Sequence, residues 1–282
     1  MENRIKQNSI KSCLLIFLIL ITVHAFEAIV LRMDETVFGE NFINKLFGIA
    51  VIWITLRILN WTWEDIGFAK RGFGRSIFCG FSLAAVTFLI AYFIEVLILK
   101  HRGNTVHFGI FTTGFSLTGE PVTHNGFFFI LMCVFFNIIN VIMEEGTFRG
   151  LFCKLIHTDH SLKTAILIQA FLFGIWHVVT PLHNYIDGDI DGLAFLLLSI
   201  GYIILAGMMG IKWGLMAQMT GSLYAGMADH FFNNCIATNL LHITSESGTD
   251  ELMIIRVLIA QILSFLIIIG MWKKKGYRLN SL

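Results

Sequence analysis

The sequence predicts an all-α protein, a polytopic bundle of about eight transmembrane spans. Three observations carry that prediction. Of 282 residues, 56% are hydrophobic and only 14% are charged, against roughly 25% charged in soluble domains. Apolar runs long enough for a hydrocarbon core of about 30 Å recur along the chain. The loops between them nearly alternate in charge, as the positive-inside rule expects of a multi-pass protein.

Composition also excludes. A net charge of +1 carries no nucleic-acid signature. The five cysteines (Cys13, Cys79, Cys133, Cys153, Cys235) are scattered through apolar runs without a C-x-x-C pair. That spacing argues against zinc ligation and against a disulfide framework, and for small buried core residues. Two prolines, no low-complexity tract, no long polar linker and no clear repeat predict one integral domain over residues 1–282.

The spans follow in order. Arg4, Lys6 and Lys11 precede a first run at 13–31. Val23-His24-Ala25 offers a signal-peptide cleavage site as the alternative, but the apolar run continues past it. Asp34, Glu35 and Glu40 form an acidic loop before a second span at 45–59. The connection 60–76 mixes Trp61 and Trp63 with Lys70, Arg71 and Arg75, a pattern suited to the membrane interface. A third span covers 77–99, and the polar loop 100–125 has no assignable chemistry.

The fourth span covers 126–156 and the fifth 162–180. An acidic loop with Asp187, Asp189 and Asp191 leads to a sixth at 193–209, and Lys212 marks the return side. A long seventh span at 213–241 carries Gly214, Gly221 and Gly226, which permit close helix approach or a bend. After Glu246, Asp250 and Glu251 comes an eighth at 252–272, ending in Lys273, Lys274, Lys275 and Arg278. The charge alternation places both termini in the cytoplasm.

Three polar clusters interrupt these runs: Glu144, Glu145 and Arg149; Phe173 and His177; His230 and Asn234. Within each, residues four apart share a helix face. At about 1.5 Å per residue, Glu144 lies roughly 18 Å, His177 roughly 22 Å and His230 roughly 26 Å from the cytoplasmic ends of their spans. Ionisable groups at such depth cost about 2.5–3.5 kcal/mol each on insertion scales, so their presence points to use.

The set has the parts for water activation. A desolvated Glu144 suits a general base, with His177 orienting or sharing the proton. His230 and the Asn234 amide suit an oxyanion, and Glu145 paired with Arg149 neutralises a buried charge. Two histidines and a carboxylate are also a catalytic zinc set, in which Glu144, His177 and His230 would be the ligands and Glu145 the base. No H-E-x-x-H motif is present, so the sequence does not demand a metal. Taken singly, a buried Glu–Arg pair, a histidine or an asparagine reads as helix packing; all three clusters together do not. Glu27 and Glu95 read as span-end residues, Asp229 as locally paired, and the other histidines carry no assignment.

At these residues the chain resembles the CAAX-protease and bacteriocin-processing family of intramembrane endopeptidases, also called the Abi family. That family carries E-E-x-x-x-R, F-x-x-x-H and H-x-x-x-N in this order. Here they are Glu144-Glu145-Gly-Thr-Phe-Arg149, Phe173-Gly-Ile-Trp-His177 and His230-Phe-Phe-Asn-Asn234, within a core at about 126–241. The resemblance implies a helical bundle around an intramembrane active-site cavity, in a cell membrane that the compact chain suggests is bacterial. It implies hydrolysis of a peptide bond in a prenylated or leader-bearing substrate, without a required metal or with zinc. Glu144, His177, His230 and Asn234 would be catalytic, with Glu145, Arg149 and Phe173 in support. A non-catalytic peptide-binding or immunity protein on the same fold, and a proton- or metal-coupled transporter, are the rival functions.

Overall fold

The computed structural model describes residue 5 and residues 8–36, 40–113, 123–124 and 126–276. Arg4, Lys6, Asn125 and Arg278 lie outside them.

Ten α-helices are described. They are α1 (Ser9–Phe26), α2 (Ile43–Leu59), α3 (Phe73–His101), α4 (Phe127–Glu144), α5 (Cys153–Ile156), α6 (Leu162–Trp176), α7 (Val179–Ile186), α8 (Gly192–Thr220), α9 (Tyr224–Phe231) and α10 (Met253–Lys274). Wider π-helical stretches extend α1 (Glu27–Leu31), join α4 to α5 (Glu145–Phe152) and extend α9 (Phe232–Ile236). The chain is thus an all-α polytopic membrane protein. Apolar side chains such as Phe78, Leu89 and Ile204 stand on its outer surface, as lipid requires.

Eight helical rods do follow one another in the expected order, but among the described residues six stretches are long and apolar enough to cross a membrane. These are Ser9–Glu35, Phe73–His101, Phe127–Ile156, Leu162–Ile186, Gly192–Thr220 and Met253–Lys274. The second rod, α2, is 17 residues long. Its start is set from outside: the fully buried Glu27 carboxylate accepts from Ile43 N at 2.8 Å and from Asn44 Nδ2 at 2.7 Å. A carboxylate there satisfies amides that a helix start leaves without partners.

The boundary between the sixth and seventh spans differs from the expectation. Helix α8 runs through Lys212, which is fully buried, and ends at Gly221, whose φ of 70° is the left-handed conformation common at helix ends. The seventh rod is correspondingly short and starts at Tyr224. His230 is therefore roughly 10 Å along its rod rather than 26 Å. The starting turn is itself sunk into the bundle, because Leu223 N bonds Gly67 O at 2.9 Å and Gly67 packs on the Leu223 side chain. A Cβ on Gly80 would sit 2.0 Å from Ala225 O, so glycine there lets α3 and α9 touch backbone to backbone.

Contacts sort the connections onto two ends. At one end Ser9 bonds Asp159, Lys154 pairs with Asp65 at 3.6 Å, and Ser222 bonds Ser76 at 3.2 Å. At the other, Arg32 pairs with Asp187 and Arg102 with Glu251 at 3.0 Å. This second end carries a small antiparallel sheet, β1 (His107–Ile110), β4 (Leu241–Ser245) and β5 (Gly248–Thr249), beside a two-stranded pair, β2 (Thr112–Thr113) and β3 (Thr123–His124). The loop that had no assignable chemistry thus pairs with the chain between α9 and α10. Beneath the sheet Glu95, near the end of α3 as expected, is buried and pairs with Arg256 at 2.9 Å.

Candidate active site

The site forms where α4 opens into its π-helical stretch. Every residue from Glu145 to Phe152 is buried there. A π-turn is wider than an α-turn and is frequent at functional positions. Glu144 closes the α-helix and Glu145 opens the wider one, so these neighbours hold different partners. Glu144 Oε1 accepts from Trp176 Nε1 at 3.1 Å. Its Oε2 lies 3.5 Å from His230 Nε2 and has no hydrogen-bond partner among the described residues. Glu145 faces His230 Nδ1 with Oε1 at 2.9 Å and Arg149 Nε with Oε2 at 3.4 Å. Close packing here needs Gly226, since a Cβ would stand 3.3 Å from Glu145 Oε2.

One imidazole therefore stands between the two carboxylates. His230 is fixed by the Trp213 ring stacked on it at 4.1 Å and 15°. Asn234 Nδ2, four residues on, lies 3.1 Å from His230 Nε2. An amide nitrogen only donates, so Nε2 accepts and the ring proton sits on Nδ1, directed at Glu145. Arg149 lies over Phe173 at 3.8 Å and over Trp213 at 4.8 Å. None of its side-chain nitrogens has a hydrogen-bond partner among the described residues. Ion pairing and two ring faces hold this guanidinium.

Helix α6 stops at Trp176, so His177 stands at a helix end just before α7 resumes. Its Nδ1 faces Phe173 O at 2.9 Å, and its ring is parallel to that of Tyr202 at 6.3 Å. A carbonyl only accepts, so Nδ1 carries the proton and Nε2 keeps its lone pair.

The structure thus joins Glu144, Glu145, Arg149, Phe173, His230 and Asn234 by direct contact. His177 touches Phe173 and makes no hydrogen bond to either carboxylate among the described residues. Glu144, His177 and His230 do not gather as a metal set. The described residues that bring three ligand atoms within 4.8 Å of one another are Glu35, His183 and Asp187, where Arg32 also sits. With Nε2 of His230 accepting from Asn234 and Nδ1 donating to Glu145, neither lone-pair direction is open to a zinc ion shared with Glu144 and His177. No step below uses one.

Some members were not visible in the sequence. Trp176 orients Glu144, and Trp213 holds His230. His24 of α1 stacks on Trp176 at 4.2 Å. Asp229, read as locally paired, binds Lys212 and accepts from Trp213 Nε1 at 2.7 Å. A lysine inside an apolar run was the available signal for this last cluster.

Fold and site together define a multi-pass helical membrane protein with a buried carboxylate–histidine cluster between its helices. Residues 126–236 match the family model of the type II CAAX prenyl endopeptidases, Rce1-like, from the start of α4 to the turn that carries Asn234. This is the family the three motifs resemble, and over that segment the chain is similar to the CAAX-type intramembrane proteases. No curated protein and no solved structure matches the chain.

Proposed function

We propose that the protein is an intramembrane endopeptidase that cleaves near the C-terminus of a prenylated or otherwise membrane-held peptide, with Glu144 as the general base. The observation that carries this reading is Glu144 Oε2: buried, without a hydrogen-bond partner among the described residues, and opposite His230 Nε2 at 3.5 Å. The other oxygen is tied to Trp176, so the carboxylate is oriented and half free.

In the step we propose, Glu144 takes a proton from water as its oxygen attacks the scissile carbonyl carbon. His177 Nε2 accepts from the same water and aims it. Asn234 Nδ2 spends one N–H on His230 and offers the other to the oxyanion. Collapse expels the amine as Glu144 returns its proton to the leaving nitrogen. In this tautomer His230 supports the amide and Glu145 and does not itself donate to the oxyanion. Glu145 and Arg149 hold His230 and balance charge. The end that carries Lys70, Arg71, Arg75 and Lys273–Lys275 would face the cytoplasm, of a bacterial plasma membrane.

The test compares new protein termini in membranes from cells making the wild type with those making Glu144→Gln. The swap keeps volume and polarity and removes the base. Termini that vanish while the variant accumulates normally support proteolysis. Identical termini in the two samples reject it, and a peptide-binding role would then lead.

A further inference from the structure

Behind the site a row of amides connects a buried ammonium to the His230 ring. Lys212 Nζ donates to Gln261 Oε1 at 2.6 Å. Gln261 Nε2 donates to Asn233 Oδ1 at 2.9 Å, and Asn233 Nδ2 to Asn234 Oδ1 at 2.8 Å. Asn234 Nδ2 then meets His230 Nε2 at 3.1 Å, and His230 Nδ1 meets Glu145 Oε1 at 2.9 Å. The other two Lys212 hydrogens go to Asp229 and to Ser264 Oγ at 3.0 Å. Lys212, Gln261 and Asn233 are at most 6% exposed.

The direction of this row is not arbitrary. An ammonium has donors only, so Gln261 must give it the oxygen and turn its NH2 away. Asn233 then offers its oxygen to Gln261 and its NH2 to Asn234. Asn234 in turn presents NH2 to His230, whose Nε2 must accept, leaving the proton on Nδ1. At the far end a carboxylate receives that proton. A cation at one end and an anion at the other favour the same direction, and hydrogen bonds in series polarise one another.

We infer that Lys212, Gln261 and Asn233 are positioning residues that set the orientation of the Asn234 amide and the tautomer of His230. This rests on the reading of Glu144, His177, His230 and Asn234 as the site. The relay leaves the second Asn234 N–H for the substrate oxyanion. Reversed, Asn234 would turn its oxygen to the ring, and His230 would carry its proton on Nε2. Lys212 belongs to α8 and Gln261 to α10, and α10 lies beyond the segment that matches the family model. The C-terminal helix is thereby part of the catalytic machinery's support.

Gln261→Glu tests this at constant volume. Its carboxylate still accepts from Lys212 but also accepts on the Asn233 side, which reverses every amide downstream. The probes are ¹⁵N-histidine spectra of detergent-solubilised protein, with the His230 signals assigned by their loss in His230→Gln, and kinetics on a fluorogenic farnesylated peptide ending in Cys-aliphatic-aliphatic-X. Wild type should show one ring proton, on Nδ1 of His230. Gln261→Glu should move it to Nε2 and lower kcat by roughly 10–100-fold, the cost of losing a partner behind a functional histidine, with KM unchanged. Asn233→Asp keeps the bond to Gln261, makes the same reversal and should behave alike, which covers poor folding of the first variant. A His230 proton that stays on Nδ1 in both folded variants overturns the relay. The ring signals need no substrate: their shift in the two variants, beside a wild type that cleaves nothing, would uphold the relay while the endopeptidase reading fails.

Discussion

Lys212 and Arg149 are both buried in the bundle, and they are held in opposite ways. Lys212 uses all three of its hydrogens, on Asp229, Gln261 and Ser264. Arg149, equally inaccessible, makes no hydrogen bond from any side-chain nitrogen among the described residues and rests on Glu145 and two aromatic faces. Both sit beside His230: Trp213, which stacks on its ring, also donates to the Asp229 that binds Lys212. A fully partnered buried charge is rigid, because moving it strands its partners. Around the cation held by rings and one ion pair, carboxylate oxygens are left without a hydrogen-bond partner among the described residues, Glu144 Oε2 and Glu145 Oε2. The contrast separates a scaffold from the candidate site.

The largest effect that sharpens this contrast is on activity. Glu144→Gln should lower kcat on the farnesylated peptide by about 10²–10⁴-fold, the usual worth of a general base, with little change in the melting temperature in micelles. A large drop in melting temperature would make Glu144 a scaffold residue and break the division.

Lys212→Met should be the largest effect on stability. It strands Asp229, at a cost of about 3–5 kcal/mol for one partner of a buried pair. Replacing both, Lys212→Met with Asp229→Leu, should recover most of that loss, read as the detergent-solubilised yield and melting temperature. Arg149→Met also strands a buried carboxylate, Glu145, but it removes a guanidinium that makes no hydrogen bond among the described residues, so it should cost less than Lys212→Met. It should nevertheless lower kcat more than tenfold, because Glu145 then faces His230 without its counter-charge. Equal stability losses for the two cations would erase the distinction between them.

The smallest effect concerns the second end of the molecule. Burial works to raise the Asp250 carboxyl, but His242 Nδ1 at 2.6 Å, Arg256 at 3.0 Å and Ile243 N at 3.0 Å hold it below the usual carboxylate range. A depressed folded pKa adds stability that is present above the ordinary carboxylate value near 4 and is lost as pH falls through the folded value. Asp250→Asn should therefore melt below the wild type at pH 7, and the gap should close as the pH is taken below about 4. A gap that persists in acid would assign the loss to packing.

Much of the site was legible in the sequence because its geometry is local. Glu145 with Arg149 and His230 with Asn234 touch across one turn, and four-residue spacing is enough to predict that. The ring contact of Phe173 with His177 at 4.6 Å follows the same spacing, although a helix end intervenes. Lys212 was misjudged because hydropathy treats a lysine as the end of a span. What makes it internal is Asp229, 17 residues on, and Gln261, 49 residues on. His24 and Trp176 are 152 positions apart by their numbers, and no local pattern could pair them.

By itself the sequence determined the class of solvent, the order of the helical rods and the faces that carry acid, base and amide. These depend on composition and on neighbours a turn apart. Only the tertiary structure decided where α8 ends, which buried charge is fully hydrogen-bonded and which rests on rings and an ion pair, and which way the amides behind His230 run. Those outcomes depend on groups far apart in the chain meeting where no water remains to satisfy them, and there a missing partner costs more than any local preference supplies.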